Sequence, residues 1–214
     1  MLRRGTRSSA RTGTPADLLV VGIGNPGEEY TRTRHNVGAE VVDILARRHG
    51  GRLRKSKELR ATVDEVRVNG RRMALAVPTT FMNDSGQAVA PLARRFGVGP
   101  DHLVVVHDEL DLPTAELRVK LGGGLAGHNG LRSIKQHLHD DGFARVRIGV
   151  GKPPSKERGA NHVLTGFSKR DREQIAVTLE EAADAVELIL TDGVEAAMNR
   201  YNRRSATDSG DTEK

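Results

Sequence analysis

The sequence contains no cysteine. That removes disulfides, zinc–thiolate sites and a cysteine nucleophile together. No apolar run approaches the ~18 residues that a membrane-spanning helix needs, and no apolar stretch near the start has the make-up of a secretory leader. A cytoplasmic location, with no membrane partner, is the expectation that follows. No G-x-S-x-G segment occurs, so the strained serine elbow of one large hydrolase class is absent as well. Acids are missing from the first sixteen residues, which carry Arg3, Arg4, Arg7 and Arg11. Residues 1–16 are therefore expected to be a disordered basic extension, and the polar, core-free residues 205–214 a disordered tail.

What remains, residues 17–204, is long enough for one domain with a sizeable core. Lys+Arg 34 against Asp+Glu 28 gives a net charge of +6 and an isoelectric point near 10.0. This bias draws a protein toward polyanions, with nucleic acid the leading partner and a solvated basic surface the alternative.

The chain is organised around Leu18 to Gly38, where an apolar strand runs into a glycine turn and then a charged loop ending near His35. Gly22, Gly24 and Gly27 have the G-x-G-x-x-G spacing, but Pro26 and the polar run after it postpone helical periodicity to Val37, and Asp43 falls inside that helix. A dinucleotide site needs a helix N-terminus at the glycines and an acid ending a second strand, so this reading is rejected. The alternative is a sharp turn that lets Asn25 and His35 face one cleft; a loop histidine without a role stays open.

Period-3.6 patterning predicts a helix over 37–49, and Asn69-Gly70 predicts a hairpin between 63–68 and 71–77. The loop from Pro78 to Gly86, uncharged until Asp84 opens the next helix, is expected to expose Phe81 and Met82 and carries Asn83, for which a helix cap is the competing role. The helix after it contains Pro91, which argues for a start later than Asp84 suggests. A buried strand over 102–106 ends in His107-Asp108-Glu109-Leu110-Asp111, read either as acids at the carboxyl end of a strand or as a solvated loop. Arg118 and Lys120 share one face of a strand over 117–121, and Arg145 and Arg147 one face of a strand over 145–150. Between them lies the glycine-dense run from Gly122 to Gly130, followed by a helix whose free N–H groups suit an anion. Gly149-Val150-Gly151-Lys152 lacks the Ser or Thr of a nucleotide-binding loop. Residues 153–166 read as a polar mobile loop, and Ser168 opens a long helix that stops near Gly193.

Four phrases now stand in order: GIGNPGEEYTRTRHNVG, PTTFMNDSG, HDELDLP and GGGLAGHNGLRSI. Together they closely resemble the bacterial peptidyl-tRNA hydrolase family, over about Leu18 to Arg203. The resemblance implies a single α/β domain with a twisted mixed β-sheet flanked by helices, and a hydrolase that cleaves the ester between a peptide and the 3′ end of tRNA, returning tRNA to translation in ribosome rescue. It implies His35 as general base, with Asp108 holding its other ring nitrogen. Asn25 is implied to probe the first amide of the substrate. Asn83 and Asn129 match positions at the peptide and terminal-adenosine end, and Tyr30 and Phe81 match aromatic substrate contacts for the single-stranded CCA end. Arg118, Lys120 and Arg147 would form a track for acceptor-stem phosphates. No cofactor and no metal are implied, and a monomer is the default. Leu125-Ala126 departs from the family's GGGxGGHNG pattern. Two other classes stand beside this reading: an RNA-binding module without turnover, and a metal-dependent esterase built on His107, Asp108 and Glu109.

Overall fold

The computed structural model describes residues 14–153, 155 and 159–202, with backbone alone at 159 and 160; the basic extension up to residue 13 and the tail from 203 lie outside the described residues. A seven-stranded sheet is built from β1 (Leu18–Gly22), β2 (Arg54–Ser56), β3 (Ala61–Val68), β4 (Arg71–Pro78), β5 (Leu103–Glu109), β6 (Leu117–Leu121) and β7 (Ala144–Gly149), in the order β2-β3-β4-β1-β5-β7-β6. The central pairings β4/β1, β1/β5 and β5/β7 are parallel and the flanking ones antiparallel, so the sheet is mixed as expected. Among the described residues six helices flank it: α1 (Val37–Arg48), α2 (Gly86–Phe96), α3 (Asn129–Leu138), α4 (Gly159–Val163), α5 (Lys169–Asp192) and α6 (Val194–Tyr201).

Period two divides the core. Leu18, Val20, Val104 and Val106 point to the face covered by α1, α5 and α6, whereas Leu19, Val21, Leu103 and Val105 point to the face covered by α2 and α3. Each such side chain, fully buried, contributes about 1.5–3 kcal/mol. A strand covered on both faces reads as a continuous apolar run, as β1 and β5 do.

Two glycines bring the first helix onto the sheet. A Cβ on Gly22 would lie 2.1 Å from the Gly38 carbonyl oxygen, and one on Gly38 would lie 2.2 Å from that of Val106. They serve a close backbone approach; of the three glycines expected to turn the chain, Gly27 alone has a positive φ, 120°. The start of α1, with the His35 turn just before it, is thereby pressed against the carboxyl ends of β1 and β5. Ala16, placed by the sequence in the extension, is buried, and its N–H donates to Phe96 O at 2.9 Å.

Several boundaries differ from expectation. The helix α2 begins at Gly86 despite Pro91, its sixth residue. The missing N–H costs a single backbone bond, and Ala88, Val89 and Leu92 bury a continuous face that outweighs it. The cap of α2 is Ser85; Asn83 sits exposed in the preceding 3-10 turn, Met82–Asp84, and caps nothing. The hairpin is as expected, with φ of 49° at Asn69 and 80° at Gly70. Strand β2 was invisible in the sequence because its three residues, Arg-Lys-Ser, lie on the sheet's edge with no apolar alternation. The stretch 153–166, read as a polar loop, contains the short helix α4 and ends in an antiparallel bridge between Thr33 and Gly166.

Candidate active site

The strand β5 does not stop at Val106. It pairs with β7 through Asp108↔Ile148 and Glu109↔Gly149, and all of His107, Asp108 and Glu109 are buried. The solvated acidic loop is therefore ruled out: the pairing with β7 carries the acids inside. Alternation sends His107 and Glu109 to one side and Asp108 to the other, so the three do not converge on a common ion. Glu109 is taken by Arg147, whose Nε and Nη2 donate to Oε2 at 3.1 and 3.0 Å. His107 Nδ1–H donates to the Asp108 carbonyl oxygen at 2.6 Å.

Asp108 meets two imidazoles. His35 Nδ1 lies 2.8 Å and His128 Nε2 3.1 Å from the same atom, Asp108 Oδ1. Neither sequence spacing nor motif had singled out His128. It precedes α3, and its Nδ1 accepts from the N–H groups of Gly130 and Leu131 at 3.1 and 3.4 Å. The network assigns the tautomers: His128 accepts at Nδ1 and so carries its proton on Nε2, donating to Asp108. His35 donates from Nδ1, which leaves its Nε2 as a proton acceptor. The first turn of α3, expected to offer free N–H groups to an anion, is occupied by this cap.

Burial alone would raise the Asp108 pKa. His128 and His35, by charge and by hydrogen bond, overcome that and hold the carboxyl well below its usual range. Burial, then the neighbouring His128, pushes His107 down to about 3. His107 is a neutral wedge whose ring meets that of His128 edge-on, centroids 4.9 Å apart.

Ligating atoms of His35, Asp108 and His128 all lie within 4.8 Å of one another, the one such cluster among the described residues. A cation on His128 Nε2 would force the proton onto Nδ1, against two backbone N–H donors. The donor set fits hydrogen bonding and does not fit a metal.

His35, Asp108, His128 and Asn129 line one cavity of about 240 Å³, with Glu109, Leu110, Ala126, Gly127 and Val163 completing its wall. Asn25 is adjacent. Asn36, a residue the sequence reading passed over, donates from Nδ2 to Asn25 O and accepts from Asn25 N–H, both at 2.9 Å. The Asn25 side chain accepts from Met82 N–H through Oδ1 at 2.8 Å. That leaves its NH₂ group without a partner among the described residues. Tyr30 and Phe81 form an edge-on pair, centroids 6.4 Å apart, and Phe81 is 54% exposed. Asn83 is exposed beside it and does not line the cavity, unlike Asn129.

The basic track is altered by the structure. Arg118 faces Arg147 across the β6/β7 pair but binds Glu116 at 2.5 Å and Tyr201 O at 3.2 Å, and Arg147 is held by Glu109. Lys120 has no ion pair among the described residues. Arg145, expected on the same strand face as Arg147, is 2% exposed and donates to the carbonyls of Gly124 and Gly123 at 2.8 and 2.6 Å, fastening the glycine loop. In that loop Ala126 has a φ of 48°, while Leu125 packs against the α2/α3 core.

The comparisons agree with this architecture. The family pattern described as peptidyl-tRNA hydrolase matches residues 19–209. A Nocardia farcinica peptidyl-tRNA hydrolase is 51% identical over 184 residues, 86% of this chain and 95% of its own, and one from Rhodococcus opacus is 50% identical over 184 residues, 86% and 97%. A crystal structure of peptidyl-tRNA hydrolase from Acinetobacter baumannii superposes with a TM-score of 0.84 at 36% identity, covering 90% of this chain and 98% of that one. With a His–Asp pair at the carboxyl ends of a mixed sheet, a family pattern over residues 19–209 and relatives of about half-identical sequence over 86% of its length, the chain belongs to the bacterial peptidyl-tRNA hydrolase family.

Proposed function

We propose that the chain hydrolyses peptidyl-tRNA by adding water across the ester that links the peptide to the 3′ end of tRNA. The observation that carries this reading is the pairing of His35 Nδ1 with buried Asp108, which leaves Nε2 of a cavity-lining imidazole as acceptor. In the proposed reaction a water gives a proton to His35 Nε2 as its oxygen attacks the ester carbonyl. Asp108 stabilises the imidazolium without taking the proton. Collapse of the tetrahedral intermediate breaks the bond to the ribose oxygen, which receives the proton back from His35. The products are a peptide acid and tRNA with a free hydroxyl, and no group of the protein is consumed.

Asn129, in the same cavity with its side chain unpartnered among the described residues, is the better placed of the two asparagines to donate to the developing oxyanion. Asn25 presents an NH₂ donor, which fits the acyl carbonyl of a blocked amine and opposes a free ammonium. Phe81 with Tyr30, and Asn83 beside them, offer a stacking surface for the CCA end. Lys120 is the cation freest to meet acceptor-stem phosphate; Arg118 and Arg147 would add to it while keeping their carboxylates.

The test is release of peptide from N-blocked and unblocked aminoacyl-tRNA with EDTA present. Turnover of the blocked substrate by wild type and its loss in His35→Ala are expected. Binding of tRNA without release, or inhibition by EDTA, would overturn the reading.

A further inference from the structure

His35 sits in a 3-10 turn, Arg34–Asn36, too short to hold itself. Its anchor on one side is Asp108. On the other, Arg34 reaches across 131 positions of sequence. Its Nη1 donates to Thr165 Oγ1 at 2.7 Å, to Gly166 O at 2.5 Å and, more weakly, to Thr165 O at 3.3 Å, while its backbone N–H donates to Thr165 O at 3.1 Å. The guanidinium lies 4.8 Å above the Phe167 ring. No carboxylate lies within ion-pair distance of Arg34 among the described residues; its charge is spent on carbonyls, a hydroxyl and an aromatic face. The partner segment is tied down in turn: Thr165 Oγ1 donates to His162 O at 2.8 Å, and His162 Nε2 donates to Val150 O and Gly151 O at 3.3 and 3.2 Å. Val163, between these ties, is a wall of the cavity that holds His35.

We propose that Arg34 is a positioning residue for hydrolysis: it fastens the segment 162–167 to the turn carrying His35 and so sets Val163 against the general base. The assignment rests on the hydrolytic reading above. Arginine is required because one planar group both serves several acceptors and stacks on Phe167, which a lysine ammonium does not do.

The backbone supplies a direct test. Thr33 and Gly166 form a non-hydrogen-bonded antiparallel pair, since Arg34 N–H bonds Thr165 O just beyond it. Such pairs have Cα atoms about 4.5 Å apart, within disulfide range. A Cβ on Gly166 would meet nothing nearer than 4.0 Å, and the chain has no other cysteine. The full chain is compared as wild type, Arg34→Ala, Arg34→Lys, and Arg34→Ala carrying Thr33→Cys and Gly166→Cys, oxidised and reduced. Amide exchange over 162–167 and kcat on N-blocked aminoacyl-tRNA are measured. Both single variants should exchange at least ten-fold faster there and lose at least ten-fold in kcat, and oxidation of the cysteine pair should restore protection and kcat together. Unchanged exchange in Arg34→Ala would overturn the clamp, and so would a staple that restores protection but not kcat. A wild type that shows protected amides but no turnover would overturn the hydrolytic reading, with the clamp itself judged by exchange.

Discussion

His35 and His128 donate to the same oxygen of Asp108, and their ring centroids are 5.3 Å apart. One carboxylate oxygen therefore fixes two imidazoles, of which one turns its free Nε2 to the proposed chemistry and the other caps a helix. Asp108→Asn weakens both: an amide oxygen is a poorer acceptor than a carboxylate and offers no charge to an imidazolium. The expected loss is about 10²- to 10⁴-fold in kcat, with KM nearly unchanged, measured on blocked aminoacyl-tRNA. Equal losses through KM would mean that Asp108 serves binding and not the base.

The two bonds of His128 can be separated. His128→Asn keeps a good N-cap for α3 but is too short to reach Asp108, so kcat should drop about ten-fold while thermal stability stays near wild type. His128→Ala loses the cap as well, costing about 1 kcal/mol, and its melting temperature should fall. If His128→Asn turned over like wild type, the bond to Asp108 would be structural ornament.

His107 makes acid stability a readout of the core. Its folded pKa is about 3 against an ordinary 6.5, because burial and His128 oppose the charged form. A folded pKa lowered below the unfolded value means that the unfolded chain binds more protons. The stabilisation is thus complete above about pH 6.5 and is lost as pH falls toward 3, on the order of a few kcal/mol in all. Asp108 adds a second stabilisation of the same pH sense, present above the ordinary carboxylate range and lost as pH falls through and below it. In urea titrations between pH 7 and 4, wild type should weaken steadily and His107→Leu should show a much flatter slope. An identical slope in the variant would assign the acid sensitivity elsewhere.

The close approach of α1 to the sheet gives a stability prediction. Gly38→Ala would place a methyl 2.2 Å from Val106 O, a contact with backbone that no rotamer relieves. The loss should exceed about 3 kcal/mol, as in severe overpacking, and the His35 turn would move with the helix. Gly50→Ala is the control for helix-end strain, since φ is 67° there but nothing lies within 4 Å; it should cost about 1 kcal/mol.

The sheet and its helices were legible because α1 follows a period of 3.6, β1 and β5 are short continuous apolar runs, and Asn69-Gly70 marks the β3/β4 hairpin, signals that depend on burial and turn chemistry alone. The pairing of Asp108 with His35 was legible through the resemblance alone: 73 residues separate them, and nothing periodic joins them. His128 escaped because its role is set by which ring nitrogen faces Gly130 N–H, a fact of geometry. The surroundings of Arg145 and Arg147 were not legible, because strand alternation assigns a face but not what covers it. Gly123 and Gly124 cover one, and Glu109 neutralises the other. Edge strand β2 has no pattern to read.

Asn25 carries the sharpest prediction for selectivity. Its Oδ1 is committed to Met82 N–H at 2.8 Å, and its backbone is pinned on both sides by Asn36. The carboxamide cannot flip without leaving that N–H facing a donor, so the end it keeps free is the NH₂ donor. On the proposed reading, a blocked amine would present an acyl carbonyl and be accepted, while a free α-ammonium would present more donors and a positive charge and be rejected. Asn25→Asp keeps the acceptor for Met82 and exchanges the donor for a negative charge. Asn25→Ala instead orphans the Met82 N–H, a cost of about 1–3 kcal/mol that would confuse binding with stability. In Asn25→Asp the ratio of kcat/KM for blocked over unblocked aminoacyl-tRNA should fall at least ten-fold, chiefly through loss on the blocked substrate. An unchanged ratio would move discrimination to another group, with the Asn129 side of the cavity the next place to look.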